Sequence, residues 1–76
     1  MSQSKRYVLR HELAKITGVK AETINKYSDL GLLDFKQDGK NKPRYYETEK
    51  SVRRLADIAI LKNDGYSLEM IKKKLK

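Results

Sequence analysis

Two short amphipathic segments on either side of Gly18 constrain the fold of this chain more than any other feature. Apolar residues recur at helical spacing in both, so the sequence predicts one helix over residues 8–17 and a second over residues 20–30. Gly18 can adopt a positive φ without the penalty that a Cβ would impose. A short helix, a tight turn with glycine and a second short helix form a helix-turn-helix motif.

Small and apolar side chains stand where these two helices would meet. Ala14 allows a close crossing, and Ile24 would hold the second helix against the first. The residues predicted to face the core are Val8, Leu13, Ile16, Ala21, Ile24, Tyr27 and Leu30. Two helices can also meet in a purely structural corner, so the motif alone does not establish a function.

The segment after the second helix has the pattern of a β-hairpin. Residues 32–36 are strand-like, residues 37–41 contain the turn dipeptide Asp-Gly, and residues 42–46 would form the return strand. Pro43 cannot donate a backbone hydrogen bond, which is compatible with an edge strand. We therefore predict a two-stranded hairpin, which has to pack on helices because such a ribbon is marginally stable alone.

Two more helices are predicted in the second half of the chain. Thr48 can cap a third helix that extends to about Asn63 and ends before Gly65. Ser67 can cap a fourth. Their predicted apolar stripes consist of Val52, Leu55, Ile58, Ala59 and Leu61, and of Leu68, Ile71 and Leu75. The whole chain, residues 1–76, is thus predicted to be one mostly α domain with four helices and a hairpin. Within it, residues 1–6 are predicted to be disordered.

Composition limits the classes of function. The chain has no cysteine, which excludes disulfides and thiolate metal sites, and no apolar run long enough to span a bilayer or act as a secretion signal. The net charge of +8 on 76 residues favours a polyanionic partner, with nucleic acid first, an anionic membrane second and an acidic protein third. We expect a cytoplasmic, nucleoid-associated protein.

The second helix has the polar outer face that a DNA-recognition helix requires. Asn25 is suited to reading adenine, and Thr23 to touching a thymine methyl group or a phosphate. Lys20 and Lys26 are expected to contact phosphate or guanine. Glu22 would repel phosphate, so it either reads a cytosine amino group or pairs with the lysine four residues later, and we favour the pairing.

The hairpin adds basic side chains beside this helix. Lys36, Lys40, Lys42 and Arg44 face only one acid, Asp38, in the same segment. Such a hairpin can hold the DNA backbone as a wing, with Lys40, Lys42 and Arg44 as contacts. Lysines also protect an edge strand from aggregation, and both roles can hold together.

An ordered series of short motifs resembles the DNA-binding domain of the MerR family. The series covers almost the whole chain and comprises residues 12–19, Thr23-Ile24, Tyr27, residues 31–33, residues 44–46, residues 52–55 and residues 65–71. The resemblance implies a winged helix-turn-helix with two further helices packed behind it. It also implies DNA contacts from residues 20–27, which include Tyr27, from Arg44 with Tyr45 beside it, and from Lys62.

The chain also departs from that family. Asn25-Lys26-Tyr27 stands where the family often has arginine-tyrosine-tyrosine, so base preference should differ and the family's operator sequence cannot be transferred. Metal ligands and a ligand pocket are not expected here, so we predict no cofactor and no small-molecule effector for this chain. The chain can be a whole protein or one domain of a longer regulator.

Several functions compete. Enzyme activity is not expected, because the only histidine, His11, lies on a solvated helix face and the carboxylates form no evident dyad. Sequence-specific binding of double-stranded DNA by a small bacterial transcriptional regulator, with a second copy on an adjacent half-site, is the leading hypothesis. The alternatives are an excisionase-like architectural protein of a mobile element and a protein-interaction module.

Overall fold

The computed structural model of the protein describes residues 6–75, so the prediction about the N-terminus falls, except for Arg6, outside the described residues. Six elements follow one another within residues 6–75: β1 (Tyr7–Leu9), α1 (Arg10–Thr17), α2 (Ala21–Asp29), β2 (Tyr45–Glu47), α3 (Thr48–Asn63) and α4 (Leu68–Lys74). The mostly α architecture with four helices and a two-stranded antiparallel sheet is confirmed.

The turn between α1 and α2 forms as the glycine predicts. Gly18 has a φ of 78°, and its N–H donates to the carbonyl of Ala14 at 2.8 Å. The Thr17 hydroxyl donates to the Leu13 carbonyl at 2.8 Å and accepts from the N–H of Val19 at 3.2 Å. These bonds satisfy backbone groups that the end of a helix leaves open, so the direction of the chain into α2 is fixed.

The two strands of the sheet are distant in sequence, and here the hairpin prediction is wrong in detail. β1 pairs with β2, with Val8 opposite Tyr46, and α1 therefore begins at Arg10 rather than at Val8. The predicted first strand, residues 32–36, contributes only Lys36, which exchanges two 2.8 Å backbone bonds with Tyr45. The reason is that adjacent residues Leu32 and Leu33 are both buried, whereas a half-buried strand alternates.

Tyr46 joins the sheet to the second helix of the helix-turn-helix motif. Its side chain is fully buried, and its hydroxyl lies 2.8 Å from Oγ of Ser28 on α2. The Ser28 hydroxyl also lies 2.8 Å from the carbonyl oxygen of Ile24, to which it donates. Among the described residues, ten form the core around this point: Val8, Leu13, Ile24, Tyr27, Leu32, Leu33, Tyr46, Leu55, Ile58 and Ile71.

The predicted bounds of α3 and the cap of α4 are confirmed, with one shift at the start of α3. Ser67 caps α4 by accepting from the N–H of Met70 at 3.2 Å. Thr48, the predicted cap of α3, is its first helical residue, and Glu47 occupies the cap position. The buried face of α3 therefore runs through Thr48, Ser51, Leu55 and Ile58, and Val52 is exposed instead.

Three other residues predicted to face the core are exposed: Ile16, Leu30 and Ala59. Ala59 follows Val52 by seven residues, so the two share the exposed face of α3. Ile16 is 54% exposed, because the short helix α1 packs through Leu13 and Ala14 and its last turn lies beyond that contact. Leu30 is 41% exposed, because Gly31, at a φ of 81°, turns the chain so that Leu32 enters the core in its place.

Substitution of Tyr46 tests the buried hydrogen bond. Tyr46→Phe removes a hydroxyl that pairs with Ser28 and should lower the free energy of unfolding by about 1 kcal/mol. Tyr45→Phe is the matched control, because Tyr45 is 42% exposed and should change stability by less than about 0.5 kcal/mol. Urea unfolding measures the stability of both variants. Equal losses of stability would contradict a stabilising hydrogen bond between Tyr46 and Ser28.

Gly18→Ala tests the turn. Nothing lies within 4 Å of the added Cβ, so the expected loss of roughly 1 kcal/mol comes from the positive φ alone. Gly39→Ala is the control, because Gly39 lacks a positive φ and the new Cβ would make ordinary contact with Lys42. Thermal unfolding at equal protein concentration should give a lower midpoint for Gly18→Ala than for Gly39→Ala. A Gly18→Ala protein as stable as wild type would contradict backbone strain at residue 18.

Candidate nucleic-acid interface

The outer face of α2 is polar, as the sequence predicts. Lys20, Glu22 and Lys26 are exposed, and Thr23 and Asn25 are half-buried. Ile24 and Tyr27 point into the core, where Tyr27 is only 7% exposed. α2 therefore presents one face that a groove of DNA can meet, but Tyr27 is not on that face.

The loop between Leu33 and β2 forms the wing, defined here as residues 34–44. The single pair of bonds between Lys36 and Tyr45 closes its base. The Gln37 amide donates to the Lys42 carbonyl at 2.8 Å, and the Lys42 N–H donates to the Gly39 carbonyl at 3.0 Å. These bonds shape the tip so that Lys40 and Lys42 are both exposed.

Arg44 connects the wing to α2. Its Nη1 donates to Oδ1 of Asn25 at 3.0 Å, and its Nη2 donates to Oδ1 of Asp29 at 2.9 Å. The guanidinium carbon lies 4.3 Å from the centroid of the Phe35 ring. The hydrogen bond to Asp29 raises the pKa of Arg44, and the side chain is only 26% exposed. Arg44 is thus engaged with the protein itself.

A second cation ties the other arm of the wing to β1. The Lys36 ammonium lies 4.9 Å from the centroid of the Tyr7 ring. Hydrogen bonding from Lys36 to the Tyr7 side chain is the main cause of the lowered pKa of Tyr7. Cation–π contacts of this kind contribute modestly at exposed sites. Both arms of the wing therefore have side-chain contacts to the body of the domain.

An open groove of about 340 Å³ separates the wing from the start of α1. Asn25 lines it from α2, and Lys42 and Arg44 line it from the wing. Arg10 and His11, both exposed, line its third side. We call this feature the wing groove. Sequence reasoning missed Arg10 and His11, because only the pairing of β1 with β2 places the start of α1 beside the wing.

The wing groove is not lined by Lys20, Thr23, Lys26 or Lys40. Three further predicted contact residues lie outside both the outer face of α2 and the wing. Tyr45 is 42% exposed at the base of the wing. Lys62 is exposed in the last turn of α3 and does not line the wing groove. Tyr27 is in the core. The structure therefore brings together Asn25, Lys42 and Arg44, and it keeps Tyr27 and Lys62 apart from them.

Within the part of the chain that the structure describes, side chains that could bind a metal do not cluster in groups of three or more. Over the same residues, no helix has both the length and the apolar character needed to cross a bilayer.

Comparison with known proteins gives one match. A family model described as MerR HTH family regulatory protein matches residues 10–76. No curated protein and no solved structure matches the chain. The matched span includes both helices of the motif, the wing and the two helices behind it.

Proposed function

The chain belongs to the MerR helix-turn-helix family of DNA-binding regulators, and we propose that it binds double-stranded DNA sequence-specifically, with α2 in the major groove and the wing on the adjacent backbone. The main support is that Asn25, on the polar face of α2, lines the same groove as Lys42 and Arg44 of the basic wing. A protein with a net charge of +8 will attract DNA wherever its cations lie, but this arrangement gives that attraction a defined geometry.

The proposed contacts divide into base reading and backbone binding. Asn25 and Thr23 are proposed to read bases from α2. The proposed phosphate contacts, which set register and affinity without sequence preference, are Lys20, Lys26, Lys40, Lys42, Tyr45 and Lys62. Arg10 and His11 extend this set along the wing groove. Tyr27 is not retained, because its ring belongs to the core.

A domain of this size offers a limited surface to DNA. A single module of this kind buries on the order of 600–1,000 Å² of protein surface on DNA. We therefore propose that tight binding uses a second copy on an adjacent half-site, in a transcriptional regulator of the bacterial cytoplasm. No small-molecule effector is assigned to these residues.

The first test is selection of bound duplexes from a random pool, followed by sizing of the complex. One recurring sequence motif is expected, together with a protein-to-DNA ratio that reports one or two copies. A pool without enrichment would contradict sequence-specific binding, even if the affinity for all duplexes is high.

Asn25→Ala tests base reading. The ratio of affinity for the selected duplex to that for a scrambled duplex should fall by roughly 1–3 kcal/mol in free-energy terms. The reason is that the amide, half-buried on the outer face of α2, loses its base contact. Fluorescence anisotropy with both duplexes measures the ratio, and an unchanged ratio would remove Asn25 from the base-reading set.

Arg10→Gln tests the phosphate-binding role of the wing groove. It should weaken binding to specific and scrambled duplexes alike and reduce the slope of log affinity against log salt by about one unit. Lys15→Gln is the matched control, since Lys15 is an exposed cation on the same helix outside the wing groove. Equal slopes for the two variants would mean that Arg10 contributes only net charge.

A further inference from the structure

The contacts of Arg44 point to a role different from the phosphate contact that the family resemblance implies. We propose that Arg44 is a positioning residue that orients the Asn25 amide, so that Asn25 reads DNA as a hydrogen-bond donor. This inference rests on the proposed function, since it concerns how the same site selects its sequence. It makes Arg44 and Asp29 determinants of specificity without direct contact to a base.

The orientation of the amide follows from the chemistry of the two partners. A guanidinium has only donors, so the atom of Asn25 that faces it, 3.0 Å away, must be the amide oxygen. The amide nitrogen has no protein partner within residues 6–75. Asn25 therefore offers its two N–H donors to a ligand in the wing groove, which it lines.

The position of Arg44 is held from three sides. Asp29 accepts a charge-assisted hydrogen bond from Nη2, Asn25 accepts one from Nη1, and the Phe35 ring lies against the guanidinium. Lys42, by contrast, is exposed and is better placed to meet a phosphate. The guanidinium is thus held in place before DNA binds, so the Arg44 side chain loses little further conformational entropy on binding.

This arrangement changes the expected base preference. Asparagine reads adenine by accepting from N6 and donating to N7 at the same time. Arg44 occupies one of the two lone pairs of the Asn25 oxygen and holds that oxygen toward the guanidinium, so the free N–H donors are the groups that Asn25 presents to the groove. These donors match the two acceptors N7 and O6 of guanine. We therefore expect guanine, not adenine, at the base pair that Asn25 contacts.

Duplex selection with matched variants tests this proposal. Asn25→Ala identifies the base pair that Asn25 reads. Arg44→Lys keeps the charge but loses the planar fork, and Asp29→Asn keeps the size but removes the anchoring charge. Both should reduce the guanine-over-adenine preference at that base pair by roughly fivefold or more. Asp34→Asn, which removes an exposed acid outside this cluster, should leave the preference unchanged.

The outcomes separate the possible failures. Adenine at the Asn25-dependent base pair of the wild-type motif would overturn the proposal, as would a guanine preference that survives both Arg44→Lys and Asp29→Asn. An equal loss of affinity of Arg44→Lys for all duplexes, with the guanine preference intact, would make Arg44 a contact to the DNA backbone and also overturn it. A motif unaffected by Asn25→Ala would overturn this inference but not DNA binding. No enrichment by the wild type would contradict sequence-specific binding itself, and this inference with it.

Stability measurements show whether a loss of base preference comes from unfolding of the variant or from opening of the wing. Thermal unfolding of Arg44→Lys and Asp29→Asn verifies that the variants are folded. Amide exchange at Lys36 and Tyr45, whose N–H groups close the base of the wing, reports whether the wing stays in place. Loss of preference in folded variants with a closed wing supports orientation of the amide. Loss that occurs only when the wing opens overturns it.

Discussion

Burial of Tyr46, with its hydroxyl hydrogen-bonded to Ser28, is the constraint on which the position of the wing depends. Tyr46 pairs with Val8 through the backbone, lies 6.1 Å from the Phe35 ring and meets α2 through its hydroxyl. A polar group in this core would cost free energy without a partner, so the tyrosine hydroxyl and the serine must lie together. That requirement sets the distance between β2 and α2.

The position of the wing follows from this constraint. Arg44 and Tyr45 directly precede Tyr46, so the point at which the wing joins the domain is fixed once Tyr46 is buried. Alternation along the strand turns Tyr45 outward, and Arg44 then reaches the side of α2 on which Asn25 and Asp29 stand. Burial of one aromatic side chain thereby determines which residues surround the wing groove.

Local patterns in the sequence predicted the helices well and the sheet poorly, for a physical reason. Helical periodicity and glycine positions are local signals, and they located the turn at Gly18, the extent of α3 and the cap at Ser67. β1 has only three residues, too few for a visible alternation, and its partner is distant in sequence. The contributions of Arg10 and His11 to the wing groove depend on that pairing, so no local pattern indicated them.

Asp29 illustrates why the role of a residue cannot be inferred from residue type and sequence position alone. An acid within a basic DNA-binding face should weaken attraction to phosphate, and a sequence optimised only for charge would not contain it. Its place opposite Arg44 gives it another effect, because it holds that one cation to the protein, whereas Lys40 and Lys42 are exposed at the tip of the wing. The basic side chains near α2 are thus of two kinds. In the proposed mode of binding, one kind contacts the DNA backbone, and the other orients the side chain that reads a base.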